Sequence, residues 1–363
     1  MGRLGVALYP EFTDIKEDEA YLKLAKDLGF SRVFTSFLQF NINQVEKSMK
    51  RFRESIDIAK NLGFEIIVDV HPFVFQYLKI DHTNLKYFYD LGVSGIRLDK
   101  GFTGKEEAVM TRNPYNLKIE INMSNYNHYL QQILDYNPNI ENLIGSHNFY
   151  PQRYTGLPYE HFKKCSKKFK DNNIRTAAFV TSQCGKIGPW KIQEGLCTLE
   201  YHRDLPIDVQ VKDLKMSGLI DDIIIANIYP SEEELKKVSK AFYSSIDSIQ
   251  IETFEDITDL EKKILLNDIH TYRGDYSEYV IRSTKGRLKY MKESLPKKNK
   301  VKDIKVGDVL ILNEEYGQYK GEVQIALKDR QGDERINVVG RIDPNNLILM
   351  NKLKIYQDFI LYE

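Results

Sequence analysis

Leu4-Gly5-Val6-Ala7-Leu8-Tyr9, the segment Glu17 to Leu28, and Arg32-Val33-Phe34-Thr35-Ser36-Phe37 make up the first copy of the pattern that decides the fold. The two short apolar runs read as strands buried on both faces, as in a parallel sheet. Between them, Ala20, Leu24 and Leu28 with Tyr21 and Ala25 form an apolar stripe at helical spacing, and Gly29 stops it. A strand, a helix and a second strand in this order pair in parallel through a right-handed crossover.

Working outward, the same unit recurs at roughly 30-residue spacing. A helix is expected over Asn43 to Leu62, ended by Gly63. Further strands are expected over Glu65–Val70, Gly95–Asp99, Leu117–Met123, Leu143–Phe149, Arg175–Thr181 and Asp222–Ile228. Helical patterns precede the last two at His161–Phe169 and Val209–Met216, and Ser231–Leu235 reads as the eighth helix. Eight such units within about 230 residues predict an α/β fold, a closed (β/α)8 TIM barrel over residues 1–240. An open doubly wound sheet is the competitor. The turn after the first strand, Tyr9-Pro10-Glu11-Phe12-Thr13, lacks the glycine-rich signature such sheets carry there.

From about Ser244 the pattern changes. Ile246–Thr253, Tyr279–Ser283, Val309–Leu312, Glu322–Leu327 and Ile336–Ile342 read as strands separated by turn residues, with no helix of comparable length between them. Residues 241–363 are expected to form a small β-rich domain, a barrel or a sandwich. The basic Lys285–Lys305 stretch reads as a solvated connection, since few aromatics interleave it.

Lysine plus arginine and aspartate plus glutamate number 52 each, so the formal net charge is zero. This removes the bulk electrostatic case for nucleic acid or a membrane surface as partner. No stretch approaches the roughly 18 apolar residues that cross a bilayer, and the N-terminus has no secretory apolar region. Cys165, Cys184 and Cys197 form no CxxC pair, so neither a disulfide framework nor a structural zinc is expected. A reducing cytoplasm is the expected setting. The reading leaves a homo-oligomer open.

Barrel enzymes work at the C-terminal ends of their strands. Alternation places Arg97 and Asp99 of the fourth strand, Lys118, Glu120 and Asn122 of the fifth, and Ile67, Asp69 and His71 of the third toward the axis. Arg97 and Glu120 read as a buried ion pair. Asp69 and Asp99, at the strand mouths, are the candidate catalytic carboxyls. Glu11 after the first strand is the third candidate, with Glu120 in reserve. Candidate substrate contacts are Tyr9 and Asn122 at strand ends, and His147, Asn148, Tyr150 and Arg153 in the polar and aromatic run after the sixth strand. Rings suit apolar sugar faces, amides suit hydroxyls, and the Arg153 fork suits a phosphate. The long loop Ser182–Pro206 reads as a lid and adds Glu194, Arg203 and Lys186, with phosphate sites of this fold common near strands seven and eight. His147 has no second ligand at metal spacing, so neither metal nor cofactor is expected, and no GxSxG, P-loop or HExxH motif occurs.

Asp99-Lys100-Gly101-Phe102-Thr103-Gly104, His147 to Gly156, Gly188-Pro189-Trp190, Glu194-Gly195-Leu196, His202 to Pro206, Gly218 to Asp222 and Arg273 to Tyr279 together resemble the bacterial 6-phospho-N-acetylmuramidase (MupG-type) family. The resemblance covers nearly the whole chain and implies a TIM barrel followed by a cyclophilin-like β-domain. It implies a glycoside hydrolase acting on an imported 6-phosphorylated disaccharide, N-acetylmuramic acid 6-phosphate linked to N-acetylglucosamine, in cell-wall sugar recovery. Such a reaction needs two carboxyl groups, one to protonate the leaving oxygen and one to face the anomeric carbon. A sugar-phosphate isomerase or lyase, and a non-catalytic sugar-phosphate binding protein, are the alternatives.

Overall fold

The computed structural model describes residues 2–37, 45–298 and 301–363. Residues 43 and 44 of the expected second helix, and 299 and 300 of the basic stretch, lie outside the described residues. The chain divides into two compact units, Met1–Phe242 and Tyr243–Glu363.

In the first unit, β1 (Arg3–Leu8), β2 (Arg32–Ser36), β3 (Glu65–Val70), β4 (Gly95–Leu98), β5 (Lys118–Asn122), β6 (Leu143–Ser146), β7 (Arg175–Val180) and β8 (Asp222–Ile225) form a closed barrel among the described residues. Each strand pairs in parallel with the next in sequence, and β1 closes on β8 with Arg3 opposite Asp222. Around it run α1 (Ile15–Asp27), α2 (Val45–Asn61), α3 (Pro72–Tyr77), α4 (Lys86–Leu91), α5 (Lys105–Thr111), α6 (Tyr129–Asp135), α7 (Tyr159–Lys170), α8 (Ile207–Ser217) and α9 (Glu232–Tyr243). This is the expected TIM-barrel architecture. The α1 helix starts where the Asp14 carboxylate accepts the Lys16 N–H at 2.8 Å, which satisfies a donor that no helix turn could reach. Helix α2 buries Phe52, Ile56 and Ala59, a face spaced at three to four residues.

The sixth strand stops at Ser146 rather than continuing to Phe149. The His147 N–H still reaches Ala177 O of β7 at 3.0 Å, but later amides go elsewhere: Asn148 N–H to Ser124 Oγ at 2.8 Å and Tyr150 N–H to Cys197 O at 3.1 Å. Similarly, β4 ends at Leu98 and leaves Asp99 on a loop.

Charged side chains run along the barrel axis. At the floor, Asp222 accepts from Arg3 and Arg175 at 2.7 Å and from Arg32 at 2.9 Å. Arg3 also pairs with Glu65. Burial would raise the Asp222 pKa, but its bonds to these arginines override that and hold it well below the usual carboxylate range. Arg32, wholly buried, reaches on to Glu120. Glu120 lies 3.9 Å from Arg97, as the alternation of β4 and β5 suggested, but Arg97 has a nearer partner in Asp69 at 2.8 Å. The chain of pairs thus climbs from floor to mouth. Arg32, Glu120, Asp222, Arg97 and Asp69 are buried, so each of these charges depends on its neighbours.

The second unit holds a seven-stranded sheet among its described residues: β9 (Asp247–Thr253), β10 (His270–Thr271), β11 (Val280–Ser283), β12 (Asp308–Leu312), β13 (Val323–Ala326), β14 (Ile336–Ile342) and β15 (Asp358–Tyr362). The spatial order is β10-β15-β9-β14-β12-β13-β11, antiparallel except for β15 on β9. The Arg273 N–H meets Arg282 O at 2.9 Å, so the two ends approach and the sheet is nearly closed. Ile304, Leu310, Ala326 and Val338 form a core beneath it.

Two expectations for this unit are corrected. A helix, α10 (Asp259–Leu266), does intervene; its start is a capping box in which Thr258 Oγ accepts the Glu261 N–H at 3.2 Å and the Glu261 carboxylate accepts the Thr258 N–H at 2.9 Å. The basic stretch is not merely solvated: it begins as α11 (Lys285–Lys289) and buries Tyr290 and Leu295. Among the described residues no helix is long and apolar enough to cross a membrane.

Candidate active site

Arg97 organises the polar groups at the C-terminal end of the barrel. Its strand pairs with β3 so that Arg97 lies beside Asp69, and its buried guanidinium then serves four partners. Nη1 donates to Asp69 Oδ1 at 2.8 Å, Nε donates to Ser146 Oγ at 2.9 Å, and Nη2 donates to Asn148 Oδ1. Asp99 Oδ1 stands 3.7 Å from the same Nη1. Two carboxyl oxygens at 2.8 and 3.7 Å from one nitrogen are at most 6.5 Å apart.

The two carboxyls differ in surroundings. Asp69 is buried, whereas the Asp99 side chain keeps 34% of its exposure. Burial pushes the Asp69 pKa up; Arg97 pulls it down, and Asp99 and Glu120 push it up again, leaving it at about 6 against an ordinary 3.8. Tyr9, buried at the end of β1, donates its hydroxyl to Ala226 O at 2.7 Å. Its pKa is raised well above the usual phenol value by burial and then by the Asp69 charge. Asp69 is thus more readily protonated than an exposed aspartate even with the Arg97 guanidinium beside it.

Beside Asp99 opens a cleft of about 460 Å³, lined by Lys100, Gly101, Phe102, Asn122, Asn125, Asn127, His128, Tyr129 and Gln132 as well as Asp99 itself. That volume suits a sugar-sized ligand, and amides with one cation suit its hydroxyls and charges. Asn122, expected at the mouth, is part of it.

Other expected residues are placed differently. His147 is fully buried, its Nε2 2.8 Å from Ser166 Oγ, its Nδ1 3.4 Å from Ser124 Oγ, and its ring against Phe162. Burial, then His161 and Arg97, lower its pKa to about 3 and favour the neutral ring. Arg203 is 3% exposed and bonds the Glu200 carboxylate and the carbonyls of Tyr150, Glu194 and Gly195. The fork of Arg153, expected to grip phosphate, is taken by Asp204 in a two-bonded pair of 2.6 and 2.9 Å. Glu194 accepts the Arg153 N–H at 2.8 Å and so pins this loop. Glu11 lies exposed in the 3-10 turn Pro10–Phe12, and no bond joins it to Asp69 or Asp99 among the described residues. Asn148 is engaged with Arg97, and Tyr150 is partly buried, with burial raising its pKa. The Ser182–Pro206 segment is anchored rather than free along much of its length: Leu196, Cys197 and Leu199 are fully buried.

Two groups were missed as site residues. Arg97 was read as a partner of Glu120 alone, and Ser146 was not singled out. Their signal is positional: Arg97 lies on β4 beside Asp69 of β3, and Ser146 is the last residue of β6. No cluster of three or more His, Cys, Asp or Glu that would hold a metal ion occurs among the described residues.

A family model described as 6-phospho-N-acetylmuramidase, N-terminal, matches residues 4–240, and one described as 6-phospho-N-acetylmuramidase, C-terminal, matches residues 248–362. A crystal structure of an uncharacterized B. cereus protein is 44% identical with a TM-score of 0.90, covering 100% of this chain and 99% of that one. A conserved Enterococcus faecalis protein of unknown function is 25% identical with a TM-score of 0.75, covering 99% of this chain and 96% of that one. No curated protein matches the chain.

Proposed function

The chain belongs to the 6-phospho-N-acetylmuramidase family, and from that premise we propose that it hydrolyses a 6-phosphorylated amino-sugar disaccharide at the mouth of its barrel. The substrate is N-acetylmuramic acid 6-phosphate linked to N-acetylglucosamine, met in the cytoplasm during cell-wall sugar recovery. Residues 1–240 carry the reaction, and the nearly closed sheet of residues 241–363 is cyclophilin-like.

One observation carries the reading: Asp69 and Asp99 flank a single nitrogen of Arg97, one buried and prone to hold a proton, the other open to a sugar-sized cleft. Asp69 is the general acid. It gives its proton to the glycosidic oxygen as the bond to the anomeric carbon breaks. Asp99, beside Arg97, faces the anomeric carbon. Retaining glycosidases hold their carboxyls about 5–5.5 Å apart and inverting ones about 6.5–9.5 Å. The proposed route is retention: Asp99 forms the bond to the anomeric carbon, and water later releases the sugar as Asp69 takes a proton back. Arg97 positions both carboxyls and balances their charge.

The test is product analysis with the purified full chain and the phosphorylated disaccharide. Mass spectrometry should find the two monosaccharides, and proton NMR of the first-formed sugar should show the anomeric configuration of the substrate. An isomerised or unsaturated product would favour the isomerase or lyase alternative. Tight binding without turnover would favour a binding protein.

A further inference from the structure

The phosphate reader expected at Arg153 has its fork on Asp204, and Arg203 is enclosed by five oxygen partners. Arg97 is buried against the two acids. Lys186 is exposed but absent from the cleft beside Asp99. One cation of that cleft remains: Lys100, exposed and with no ion pair or side-chain hydrogen bond among the described residues.

The backbone that carries Lys100 is held rigidly. Glu107, fully buried in α5, accepts the Phe102 N–H, the Gly104 N–H at 2.7 Å and the Tyr129 hydroxyl at 2.5 Å. Phe102 sets its ring edge-on to Phe75 at 5.6 Å. At Gly101 a Cβ would fall 1.7 Å from Tyr129 Oη, so the loop and α6 close on each other only through a glycine. The loop conformation therefore owes nothing to the Lys100 side chain. With the backbone already fixed, an arriving anion has to order only the Lys100 side chain and not the loop.

The rest of the lining supplies donors. Asn122 Oδ1 accepts the Ser124 N–H at 2.9 Å and Asn127 Oδ1 accepts the Tyr129 N–H at 3.1 Å. With their oxygens turned to the backbone, both amides keep an NH2 group for a ligand. His128 stands between them and Tyr129. Asp99 is the one carboxylate of the lining.

We infer that Lys100, with the amides of Asn122 and Asn127 and with His128, forms the subsite that holds the sugar's 6-phosphate. Lys100 directly follows Asp99 in the chain, so the same sugar ring meets the carboxylate at its anomeric carbon and the ammonium at its phosphate. This inference rests on the proposed hydrolysis, and its test separates the two.

The wild-type chain and the variants Lys100→Met, Lys100→Arg and Arg153→Ala are assayed with the phosphorylated disaccharide. N-acetylmuramic acid 6-phosphate and N-acetylmuramic acid serve as competing inhibitors. Wild type that neither cleaves the disaccharide nor prefers the phosphorylated inhibitor overturns the proposed function itself. Given wild-type cleavage and preference, Lys100→Met should weaken the phosphorylated inhibitor by roughly 10- to 100-fold, the worth of one hydrogen bond to a charged group. The unphosphorylated inhibitor should bind as before, and Lys100→Arg should recover part of the preference. Thermal unfolding of Lys100→Met should match wild type, because the side chain is exposed. The inference is overturned if Lys100→Met keeps the preference. It is equally overturned if both inhibitors weaken alike, which would place Lys100 on the lactyl carboxylate they share, or if Arg153→Ala alone removes the preference.

Discussion

Replacing Asp69 with asparagine should abolish catalysis and, above pH 6, make the barrel more stable. The residue is 5% exposed and its pKa lies at about 6, against 3.8 for the unburied group. A raised carboxyl pKa means that the folded chain binds more protons than the unfolded one between these values. Wild-type stability from this group is therefore fully present below about pH 4 and is lost as pH rises through 6. At 1.36 kcal/mol per unit, roughly two units amount to about 3 kcal/mol at pH 7 and above, an order-of-magnitude figure. Asparagine carries no such penalty, and its Oδ1 can still accept from Arg97 Nη1. Urea unfolding of wild type and Asp69→Asn, followed by tryptophan fluorescence at half-unit steps from pH 4 to 8, should show equal stabilities at pH 4. The gap in favour of the variant should open between pH 4 and 6. Trp190, the single tryptophan, lies in the barrel unit, so the signal reports that unit. Activity should fall by roughly 10²–10⁴, the usual worth of a general acid. A variant that keeps more than about a tenth of wild-type kcat/KM, or a stability gap of opposite sign, would refute the assignment of the proton to Asp69.

Asp99→Asn should also reduce kcat/KM by more than about 100-fold while leaving the melting curve within a few degrees, because the side chain is partly exposed and shape is kept. The kcat/KM profile of wild type should decline on its alkaline side with an apparent pKa near 6, as Asp69 loses its proton; a flat profile from pH 5 to 8 would count against a general acid there. Arg32→Met should destabilise the barrel by about 3–5 kcal/mol in denaturant unfolding, since it leaves Glu120 and Asp222 buried without one of their cations.

The strands were legible because each is a short apolar run buried on both faces, such as Ile66 to Val70, and the helices α1 and α7 because they span three turns or more. The helices between β3 and β6 are six or seven residues long, too short for a period of 3.6 to declare itself. Thr258-Asp259-Leu260-Glu261 did carry a readable capping box for α10, and the strand-rich surroundings masked it. β10 has two residues and no pattern to read. At the site, alternation alone put Asp69, Arg97 and Glu120 on the axis. Which of the two acids Arg97 chooses depends on side-chain reach across neighbouring strands, which residue order does not encode. His147 and Arg203 show the complementary case. Their chemistry and position suit a ligand, but full enclosure by Ser124 and Ser166, or by Glu200 and three carbonyls, is decided by segments far away in sequence.

The axial run of charges has an arithmetic of its own. Its guanidiniums are Arg3, Arg32, Arg97 and Arg175; its carboxyls are Glu65, Asp69, Asp99, Glu120 and Asp222. Acids outnumber bases by one, so the interior is electrically neutral only when it carries a single extra hydron. Asp222 at the floor, gripped by three arginines, is the worst place to keep it, and Asp69 near the rim is far better. In the proposed reaction, that hydron is the one Asp69 delivers to the glycosidic oxygen. Any inherited change that adds or removes an interior charge alters the ease of that delivery, even far from the rim. Drift in the interior should therefore proceed by matched exchanges of acid and base, whereas loops around the rim are free to vary singly.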